Sequence, residues 1–293
     1  MTSELSDALT VGEALRSAAA LLTTSQTPLL DARVLLKFAT GLDDAGLIAN
    51  SGDPLSPDQA SAFFALIERR AAGEPIAYIT GVKEFWSLEF HVSPDVLIPR
   101  DDSECLIEAV MKRRPADAEL SILDLGAGSG CLLCALLNEF PNANGVGVDL
   151  SPQAAIIARD NCERLGLSDR AEIMVGDWSS ALDGVFDVII ANPPYIPEGD
   201  RAGLPVDVVA YEPGSALFAG EEGFDAYRAI LADGHRILAP GGLIVFETGD
   251  GQAARLAEMV TKTFPEAETS VICDLQARPR GVLAEQKSFA EKD

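Results

Sequence analysis

An Asn-Pro-Pro-Tyr tetrad at residues 192–195 carries the clearest chemical signal in this sequence. The nitrogen of an amide or aromatic amine is a poor nucleophile, because its lone pair is delocalised into a π system. Two acceptors bound to its N–H groups would orient that nitrogen and favour the charge that develops on it. The side-chain oxygen of Asn192 and the carbonyl of Pro193 could be these acceptors. The tetrad therefore predicts a site that acts on an amide or amino nitrogen.

The other two members of the tetrad fit the same interpretation. Pro194, like Pro193, fixes φ and has no N–H donor, so the backbone here is stiff and only accepts hydrogen bonds. Tyr195 can lie against a flat substrate group. Asn-Pro is also a common turn opener, so a proline-rich strand exit is the alternative. A glycine-rich turn earlier in the same predicted sheet favours the functional interpretation.

That turn, Asp124-Leu-Gly-Ala-Gly-Ser-Gly130, follows one predicted strand and opens a helix. Its glycines allow a tight turn and the close approach of a ligand. Asp149 ends the next strand, where an acid can bind the ribose hydroxyls of an adenosine. A tight turn without a ligand is the alternative, but the strand-turn-helix context favours a cofactor.

The glycine spacing distinguishes between adenosine cofactors. Dinucleotide folds bind a pyrophosphate at a GxGxxG turn, whereas this turn is GxGxG with an acid before it. A carboxylate and an open backbone better suit the cationic amino-acid end of S-adenosylmethionine. After the third strand, Asp177 could bind the adenine by a hydrogen bond and Trp178 by apolar contact, with a core aromatic as an equal alternative for Trp178. The predicted cofactor residues are Asp124, Gly126, Ala127, Gly128, Ser129, Gly130, Asp149, Leu150, Asp177, Trp178 and Asn192.

Alternating strands and helices must position these residues. Strands are predicted at 121–125, 145–149, 171–175, 186–191 and 243–247, and helices at 131–139, 152–165 and about 224–238. This order indicates a parallel sheet with helices on both faces. Because ligands bind at the carboxyl ends of such strands, the tetrad and the glycine turn both lie where a site is expected.

The first part of the chain has a different organisation. Residues 1–75 show apolar residues at helical spacing and predict a small helical domain for recognition or packing. Residues 76–98 predict a β-hairpin linker, in which Ile76–Val82 pairs with the alternating segment around Leu88–Val92.

The rest of the chain forms the predicted catalytic domain, at 99–286, followed by a charged tail at 287–293. Asp101, Asp102 and Ser103 offer N-caps for the helix that opens this domain and continues through Met111.

The composition excludes several classes of protein. The chain has 293 residues, of which 47% are hydrophobic and 23% charged, an ordinary globular balance. Its apolar runs are too short to span a bilayer, and its acidic N-terminus shows no secretory signal. A net charge of −24 repels phosphate backbones, so nucleic acid is not expected as the main substrate.

The cysteines indicate the compartment. Five cysteines without a secretion signal predict reduced thiols in a cytoplasm. Cys131 and Cys134 form a CxxC, but they fall in an apolar helical stretch without a second ligand pair. Buried small side chains are therefore expected here, and no metal.

Longer segments resemble one family. The tetrad and the glycine turn are similar to those of class I S-adenosylmethionine-dependent methyltransferases. The segments 73–86 (GEPIAYITGVKEFW) and 92–100 (VSPDVLIPR), together with Tyr211-Glu212-Pro213, resemble the peptide chain release factor glutamine methyltransferases, the PrmC/HemK family. The resemblance covers nearly the whole chain and is weakest before residue 70 and after residue 285.

The resemblance implies a monomeric two-domain enzyme with a seven-stranded, mostly parallel Rossmann-like sheet. It implies methyl transfer from S-adenosylmethionine to the side-chain amide nitrogen (N5) of the glutamine in the GGQ motif of class 1 translation release factors. The glycine turn, Asp149, Trp178 and Asn192 would contact the cofactor, and residues 192–195 would hold the glutamine. The helical domain and the hairpin would help to dock the release factor, without nucleic acid or membrane.

The chain departs from the family pattern after Arg100. The family commonly has Pro and Thr where this chain has Asp101 and Ser103, and Ser can replace Thr as a cap. The segment 276–280 (QARPR) also differs from the typical bacterial form. Because so acidic a chain would repel a partner protein that is itself acidic, a few basic side chains such as Lys83 and Arg100 are expected near the cleft.

Three other functions remain open from the residues alone. A nucleic-acid amino-methyltransferase (adenine N6 or guanine N2) would use the same tetrad, but the acidity and the absence of a Lys/Arg-rich segment argue against it. A nicotinamide oxidoreductase is disfavoured by the glycine spacing. A non-catalytic binding module would have no evident need for the tetrad and the glycine turn together.

Overall fold

The computed structural model describes residues 9–287, so the helical prediction for residues 1–8 and the tail prediction for 288–293 lie outside the described residues. The chain divides into two units. Among the described residues, the smaller unit comprises 9–81 and the segment 205–211. The larger unit comprises residues 82–204 and 212–287.

The helices and strands are as follows. The helices are α1 (Val11–Leu21), α2 (Pro28–Thr40), α3 (Asp44–Ala49), α4 (Pro57–Ala71), α5 (Ile76–Thr80), α6 (Glu104–Met111), α7 (Cys131–Glu139), α8 (Pro152–Arg164), α9 (Val206–Tyr211), α10 (Asp225–Ile237) and α11 (Ala253–Thr263). The strands are β1 (Val82–Phe85), β2 (Leu88–His91), β3 (Ser121–Leu125), β4 (Asn144–Asp149), β5 (Ala171–Val175), β6 (Phe186–Ala191), β7 (Leu238–Glu247), β8 (Glu268–Cys273) and β9 (Pro279–Glu285). Across residues 9–287, no helix combines the length and the apolar character needed to cross a membrane.

Local sequence signals set the helix ends in the smaller unit. Thr10 caps α1 and Ser56 caps α4, each in a capping box with the residue three positions further on, Glu13 or Gln59. Gly41 ends α2 in the left-handed conformation, at a φ of 73°. The apolar sides of α1, α2 and α4 form the core of this unit. The predicted helical region at the start of the chain is thus confirmed.

The strand predicted at Ile76–Val82 is wrong over most of its length. Ile76–Thr80 forms the short helix α5, with Pro75 at its N-cap, and Gly81 ends it at a φ of 76°. A short apolar run cannot be assigned to helix or strand by periodicity alone, and a proline beside the first turn favours a helix. The antiparallel partner of β2 therefore begins only at Val82.

The hairpin of β1 and β2 belongs to the larger unit. In its two-residue turn, Trp86 and Ser87 have φ angles of 53° and 58°, which normally favour glycine or asparagine. Two carboxylates hold Trp86 in place: its backbone N–H donates to Glu104 at 3.0 Å, and its indole N–H donates to Glu139 at 2.8 Å. The turn is thereby tied to α6 and α7.

A seven-stranded sheet forms the centre of the larger unit, in the order β5-β4-β3-β6-β7-β9-β8. Neighbours from β5 to β7 are parallel, whereas β9 is antiparallel to both β7 and β8. The predicted mostly parallel α/β sheet is therefore confirmed. The elements α11, β8 and β9 lie beyond those predicted from the sequence, and β7 begins earlier than predicted, at Leu238.

The central strands are apolar on both faces. Along β3, Ile122 packs into the core cluster on one face, and Leu123 and Leu125 pack into the cluster on the other. Parallel strands covered by helices on both faces show this pattern. Polar residues near the carboxyl ends of β3, β4, β6 and β7 consequently meet at one edge of the sheet. They are Asp124, Asp149, Asn192 and Glu247.

Candidate active site

A cavity of about 370 Å³ lies at the carboxyl edge of the sheet. Its walls are the glycine turn, the residues that follow β4, β5 and β6, the segment 95–103, and the segment 213–216. All of these belong to the larger unit. The volume falls within the range of small-molecule sites.

Most residues predicted to bind the cofactor line this cavity. They are Gly126, Ala127, Gly128, Ser129, Asp149, Leu150, Asp177, Trp178 and Asn192. The other two predicted residues do not line it: Asp124 is buried, and Gly130 is the N-cap of α7. In the tetrad, Asn192 and Pro194 line the cavity. Pro193 is buried, and the Tyr195 hydroxyl is directed to Glu247.

Positive φ angles shape the glycine turn. Gly126, Gly128 and Gly130 have φ angles of 80°, 55° and 79°, a region that residues with a Cβ rarely adopt. The N–H of Gly126 donates to the carbonyl of Val148 at 2.8 Å, which ties the turn to β4. The tight turn predicted from the sequence therefore depends on glycine at these positions.

Asp149 holds this turn while it faces the cavity. One carboxylate oxygen accepts the N–H of Gly128 at 2.8 Å, and the other accepts the N–H of Ser151 at 2.8 Å. A carboxylate has about four lone-pair positions, so acceptor positions remain for ribose hydroxyls. The residue can thus serve both the turn and a ligand.

Trp178 reaches the cavity from a strained backbone, at a φ of 48°. A Cβ added to Gly126 would lie 3.5 Å from the Trp178 ring, so the indole packs directly against the glycine turn. Strain of this kind persists only where the surroundings determine the conformation. The indole is therefore held beside the turn, where an adenine contact is predicted.

One buried carboxylate at this edge has an oxygen without a partner. Asp124 is 1% exposed, and its Oδ2 accepts the N–H of Leu133 at 3.2 Å. Its Oδ1 has no hydrogen-bond partner. Burial raises the pKa of Asp124 to about 7. A buried acceptor left without a partner is unfavourable, so this oxygen is poised for a donor or a cation.

A second buried carboxylate, Glu247 at the end of β7, has a donor on each oxygen. Its Oε2 accepts the Ser103 hydroxyl, and its Oε1 accepts the Tyr195 hydroxyl in a long hydrogen bond of 3.4 Å. The Asn192 side-chain nitrogen donates to Ser103 Oγ at 3.5 Å. Two members of the tetrad are thus connected to one carboxylate.

The same contacts also affect the pKa of the Glu247 carboxyl. Burial raises the pKa of Glu247 to about 7, although the hydrogen bonds from Ser103 and Tyr195 lower it. Burial and the nearby Glu247 also raise the pKa of Tyr195 above its ordinary value. The tyrosine hydroxyl therefore stays protonated and acts as a donor.

Of the predicted N-caps Asp101, Asp102 and Ser103, Ser103 occupies the N-cap position of α6, but its side chain makes no cap hydrogen bond. The three residues form a 3₁₀ turn before α6. Polar side chains with tertiary partners are not available for capping. Asp101 binds Lys83 at 2.7 Å, Asp102 binds Arg280 at 2.9 Å, and Ser103 binds Glu247.

Arg100 lines the cavity, as expected for a basic residue near the cleft. Its guanidinium is paired with Glu212 at 2.5 Å, and the buried Glu212 also accepts the N–H of Ile98 at 3.4 Å. Glu212 thereby fixes this wall of the cavity. Lys83, also expected at the cleft, is instead paired with Asp101 on the hairpin side and does not line the cavity.

Glu247 and Glu212 are functional candidates to which the sequence alone assigns no role, although Glu212 lies in one of the segments that carry the family resemblance. Glu247 ends the apolar run Leu243–Phe246, which is the same signal that marks Asp124 near the end of β3. Glu212 has no such local signal, because its role depends on contact with Arg100, which is distant in the sequence.

The CxxC cysteines do not pair with each other. Cys134 lies 3.6 Å from Cys162, sulfur to sulfur, and both are buried. Cys131 lines the cavity. Within residues 9–287, no group of three or more His, Cys, Asp or Glu side chains is arranged to hold a metal ion.

The sheet and its glycine turn define a Rossmann-like fold, and a family model identifies its class as a methyltransferase. A family model for the methyltransferase small domain matches residues 101–206, and one for the PrmC N-terminal domain matches residues 13–81. The chain is 40% identical to the release factor glutamine methyltransferase of Bradyrhizobium diazoefficiens, over 97% of this chain and 98% of that protein. It is also 40% identical to the release factor glutamine methyltransferase of Moorella thermoacetica, over 94% and 96%. The chain therefore belongs to the release factor glutamine methyltransferase family, which confirms the predicted resemblance.

A solved structure supports the fold separately. The catalytic domain of hMettl16, in complex with a 3′UTR hairpin, matches with a TM-score of 0.56 over 80% of this chain and 82% of that chain. At 15% sequence identity, this likeness concerns the fold alone. The relatives by sequence, and not this structure, distinguish between substrates, and they do not favour the nucleic-acid alternative.

Proposed function

We propose that this chain transfers a methyl group from S-adenosylmethionine to the side-chain amide nitrogen, N5, of the glutamine in the GGQ motif of class 1 translation release factors. The position of Asn192 carries the proposal, because it lines the same cavity as the glycine turn and Asp149. A cofactor on the turn and an amide at Asn192 would therefore meet in one cavity. The family relatives support a release factor as the substrate.

The charges around the cavity fit a cationic cofactor. Asp149 and Asp177 line it, and its one lining arginine, Arg100, is paired with Glu212. Asp124 has an oxygen without a partner. A positive group would be attracted to these carboxylates, whereas a pyrophosphate would be repelled. This supports S-adenosylmethionine over a nicotinamide dinucleotide.

Each residue has a proposed role in holding the cofactor. The glycine turn would bind the amino-acid end, which the negative charge of the buried Asp124 behind the turn would attract, and Asp149 would bind the ribose. Asp177 and Trp178 would hold the adenine. When bound, the cofactor supplies a methyl group already activated by a positively charged sulfur.

The chain's own contribution is to orient a weakly nucleophilic amide. The Asn192 side-chain oxygen and the Pro193 carbonyl accept the two N–H groups of the glutamine, and Tyr195 packs against it. The amide becomes positively charged on methylation and then loses a proton to water readily. Little acid–base equipment is needed for this step.

The remaining parts of the chain are assigned to docking. We propose that the helical domain and the hairpin dock the release factor, and that the chain acts as a monomer in the cytoplasm. The match of residues 13–81 to the PrmC N-terminal domain supports a shared role for the helical part.

Transfer of labelled methyl groups tests this function. Purified protein is incubated with labelled S-adenosylmethionine and a class 1 release factor, or with a variant release factor that carries alanine in place of the GGQ glutamine. Label is expected in the first and not in the second. Label in tRNA, rRNA or DNA, with none in the release factor, would refute the proposal and favour the nucleic-acid alternative.

A further inference from the structure

We infer that Ser103 and Glu247 are positioning residues that orient the Asn192 side chain, so that its amide oxygen faces the substrate amide. The inference rests on the proposed function, because it concerns the same amide site. Its basis is the chain of contacts from Glu247 through Ser103 to Asn192.

The direction of each hydrogen bond follows from the chemistry of Glu247. Above its pKa of about 7, Glu247 is ionised and only accepts hydrogen bonds, so the Ser103 hydroxyl then donates its single proton to Oε2. Ser103 Oγ then has only lone pairs to offer, and it accepts from Asn192 Nδ2 at 3.5 Å. The Asn192 Oδ1 is left for the substrate.

Orientation matters because the two ends of an asparagine amide have nearly the same shape but opposite hydrogen-bonding character. With Oδ1 toward the substrate, Asn192 accepts a substrate N–H. With the amide turned over, two N–H donors would face a substrate N–H group, and that nitrogen would not be held. Contacts that favour the first orientation therefore increase the fraction of enzyme molecules that can hold the substrate nitrogen.

The fold brings these groups together through strand register. Ala191 of β6 pairs with Phe246 of the parallel strand β7, so the next residues along the chain are Asn192, directly after β6, and Glu247, the last residue of β7. Ser103 is 2% exposed. Water cannot easily replace a hydrogen bond in such a place. The 3.5 Å contact is long, and contacts of this kind often tighten only when substrate binds.

Besides Ser103, two tyrosine hydroxyls donate hydrogen bonds to Glu247. Its second oxygen accepts from Tyr195, and its backbone carbonyl accepts from the Tyr227 hydroxyl at 2.7 Å. Glu247 is not among the residues that line the cavity, whereas Ser103 and Asn192 are. Glu247 therefore acts on the site through Ser103 and Tyr195, without contact with the substrate.

Steady-state methyl transfer into a release factor, combined with calorimetric cofactor binding, tests the inference. Ser103→Ala removes the acceptor and is expected to lower kcat by about 10–100-fold, with the dissociation constant for S-adenosylmethionine within about twofold of wild type. Ser103→Thr keeps the hydroxyl and is expected to retain kcat within about threefold. This rescue separates a positioning hydroxyl from a merely structural side chain.

The isosteric variant Glu247→Gln tests the direction of the hydrogen bonds. A glutamine amide can also donate to Ser103, so the two orientations of Asn192 become closer in energy, and kcat is expected to fall about tenfold. In the double variant with Ser103→Ala, the loss of kcat is expected to be clearly less than the product of the two single losses, because Glu247 reaches Asn192 through the Ser103 hydroxyl and only its contact with Tyr195 is independent. Additive effects would contradict the inference.

A matched control uses another buried hydroxyl, one that donates to the half-buried carboxylate of Asp233. Ser179 is 1% exposed, donates to Asp233 at 2.6 Å and does not line the cavity. Ser179→Ala is therefore expected to keep kcat near wild type. If Ser103→Ala does not fold, as judged by its melting temperature, the Glu247→Gln and Ser103→Thr variants still decide the matter.

The outcomes separate this inference from the proposed function. Transfer by wild type with an unchanged kcat for Ser103→Ala or, where that variant does not fold, for Glu247→Gln would overturn the inference alone. Failure of Ser103→Thr to retain kcat would also overturn it. No transfer by wild type to the GGQ glutamine would overturn the proposed function, and the inference with it.

Discussion

Asp124 and Glu247 occupy corresponding places in the fold but differ in their surroundings. Each lies near the carboxyl end of a parallel strand, each is buried, and burial raises the pKa of each to about 7. Glu247 has a donor on both oxygens, whereas one oxygen of Asp124 has none. A buried carboxylate is unfavourable unless it is paired. The partnered carboxylate therefore belongs to the supporting structure, and the unpartnered one marks where a ligand is expected.

The neighbouring charges sharpen this contrast. Asp149 raises the pKa of Asp124 further. Around Glu247, the hydrogen bonds from Ser103 and Tyr195 and the charge of Arg280 lower the pKa. A bound cation would therefore change the energy of Asp124 more than that of Glu247. We call the surroundings of Asp124 and the glycine turn the cofactor region, and those of Glu247 and Asn192 the amide region. Experiments that change one carboxylate at a time can distinguish the two.

Asn192 is the residue at which the two regions meet, and its loss should have the largest effect. Asn192→Ala removes the acceptor that acts chiefly in the transition state. We expect kcat to fall about 10²–10³-fold, with a smaller loss of cofactor affinity. Single-turnover methyl transfer and calorimetry measure the two effects. Near-normal turnover would rule out the proposed amide mechanism.

The isosteric variants Asp124→Asn and Glu247→Gln should separate the regions by cofactor affinity. Asp124→Asn removes the charge expected to attract the cationic end of the cofactor, so affinity for S-adenosylmethionine should fall about 10–100-fold. Glu247→Gln should leave that affinity within about twofold. Calorimetric titration of both variants measures this, and equal losses of affinity would refute the contrast between the two carboxylates.

A smaller loss is expected at Asp149, which shares its carboxylate between the turn and the proposed ribose contact. Asp149→Ala should weaken cofactor binding by about 1–3 kcal/mol. The Gly128 N–H would also lose its acceptor, so a melting curve must accompany the titration. Unchanged affinity in a folded variant would remove Asp149 from the proposed site.

Local sequence signals predicted the parts of the site that a single chain segment forms by itself. The glycine turn is one example, because its positive φ angles are a property of Gly126, Gly128 and Gly130 themselves. The acid at the end of β4 is another, since strand length and the following turn place it. In each case, residue type and immediate neighbours contain the information.

Contacts between distant segments could not be predicted in this way. Ser103 and Glu247 are 144 positions apart, and Arg100 and Glu212 are 112 apart. Ser103 has the residue type of an N-cap, but the buried carboxylate takes its hydroxyl instead. The strand prediction over α5 was wrong for a related reason, because the periodicity of a short apolar run suits either a helix or a strand. Tertiary context decides both cases.

The pH dependence of stability compares the two carboxylates without substrate. The pKa of each is higher in the folded chain than its ordinary value of 3.8 or 4.5. The folded chain therefore retains protons that the unfolded chain loses, and the free energy of unfolding should fall as pH rises from about 4 to about 7. Each group should contribute about 1–3 kcal/mol to this fall. Denaturant unfolding of wild type, Asp124→Asn and Glu247→Gln measures it, and each variant should show a shallower fall than wild type.

Saturating cofactor should remove the contribution of Asp124 to the pH dependence of the free energy of unfolding and leave that of Glu247. A cation beside Asp124 favours its ionised form and lowers its pKa, so the contribution of Asp124 to the slope should disappear. Glu247 has its partners already, and its contribution should remain. With S-adenosylmethionine bound, Asp124→Asn should therefore no longer be distinguishable from wild type in slope, whereas Glu247→Gln should still be shallower. If the cofactor abolished both differences, or neither, the assignment of Asp124 to the cofactor and of Glu247 to the supporting structure would be wrong.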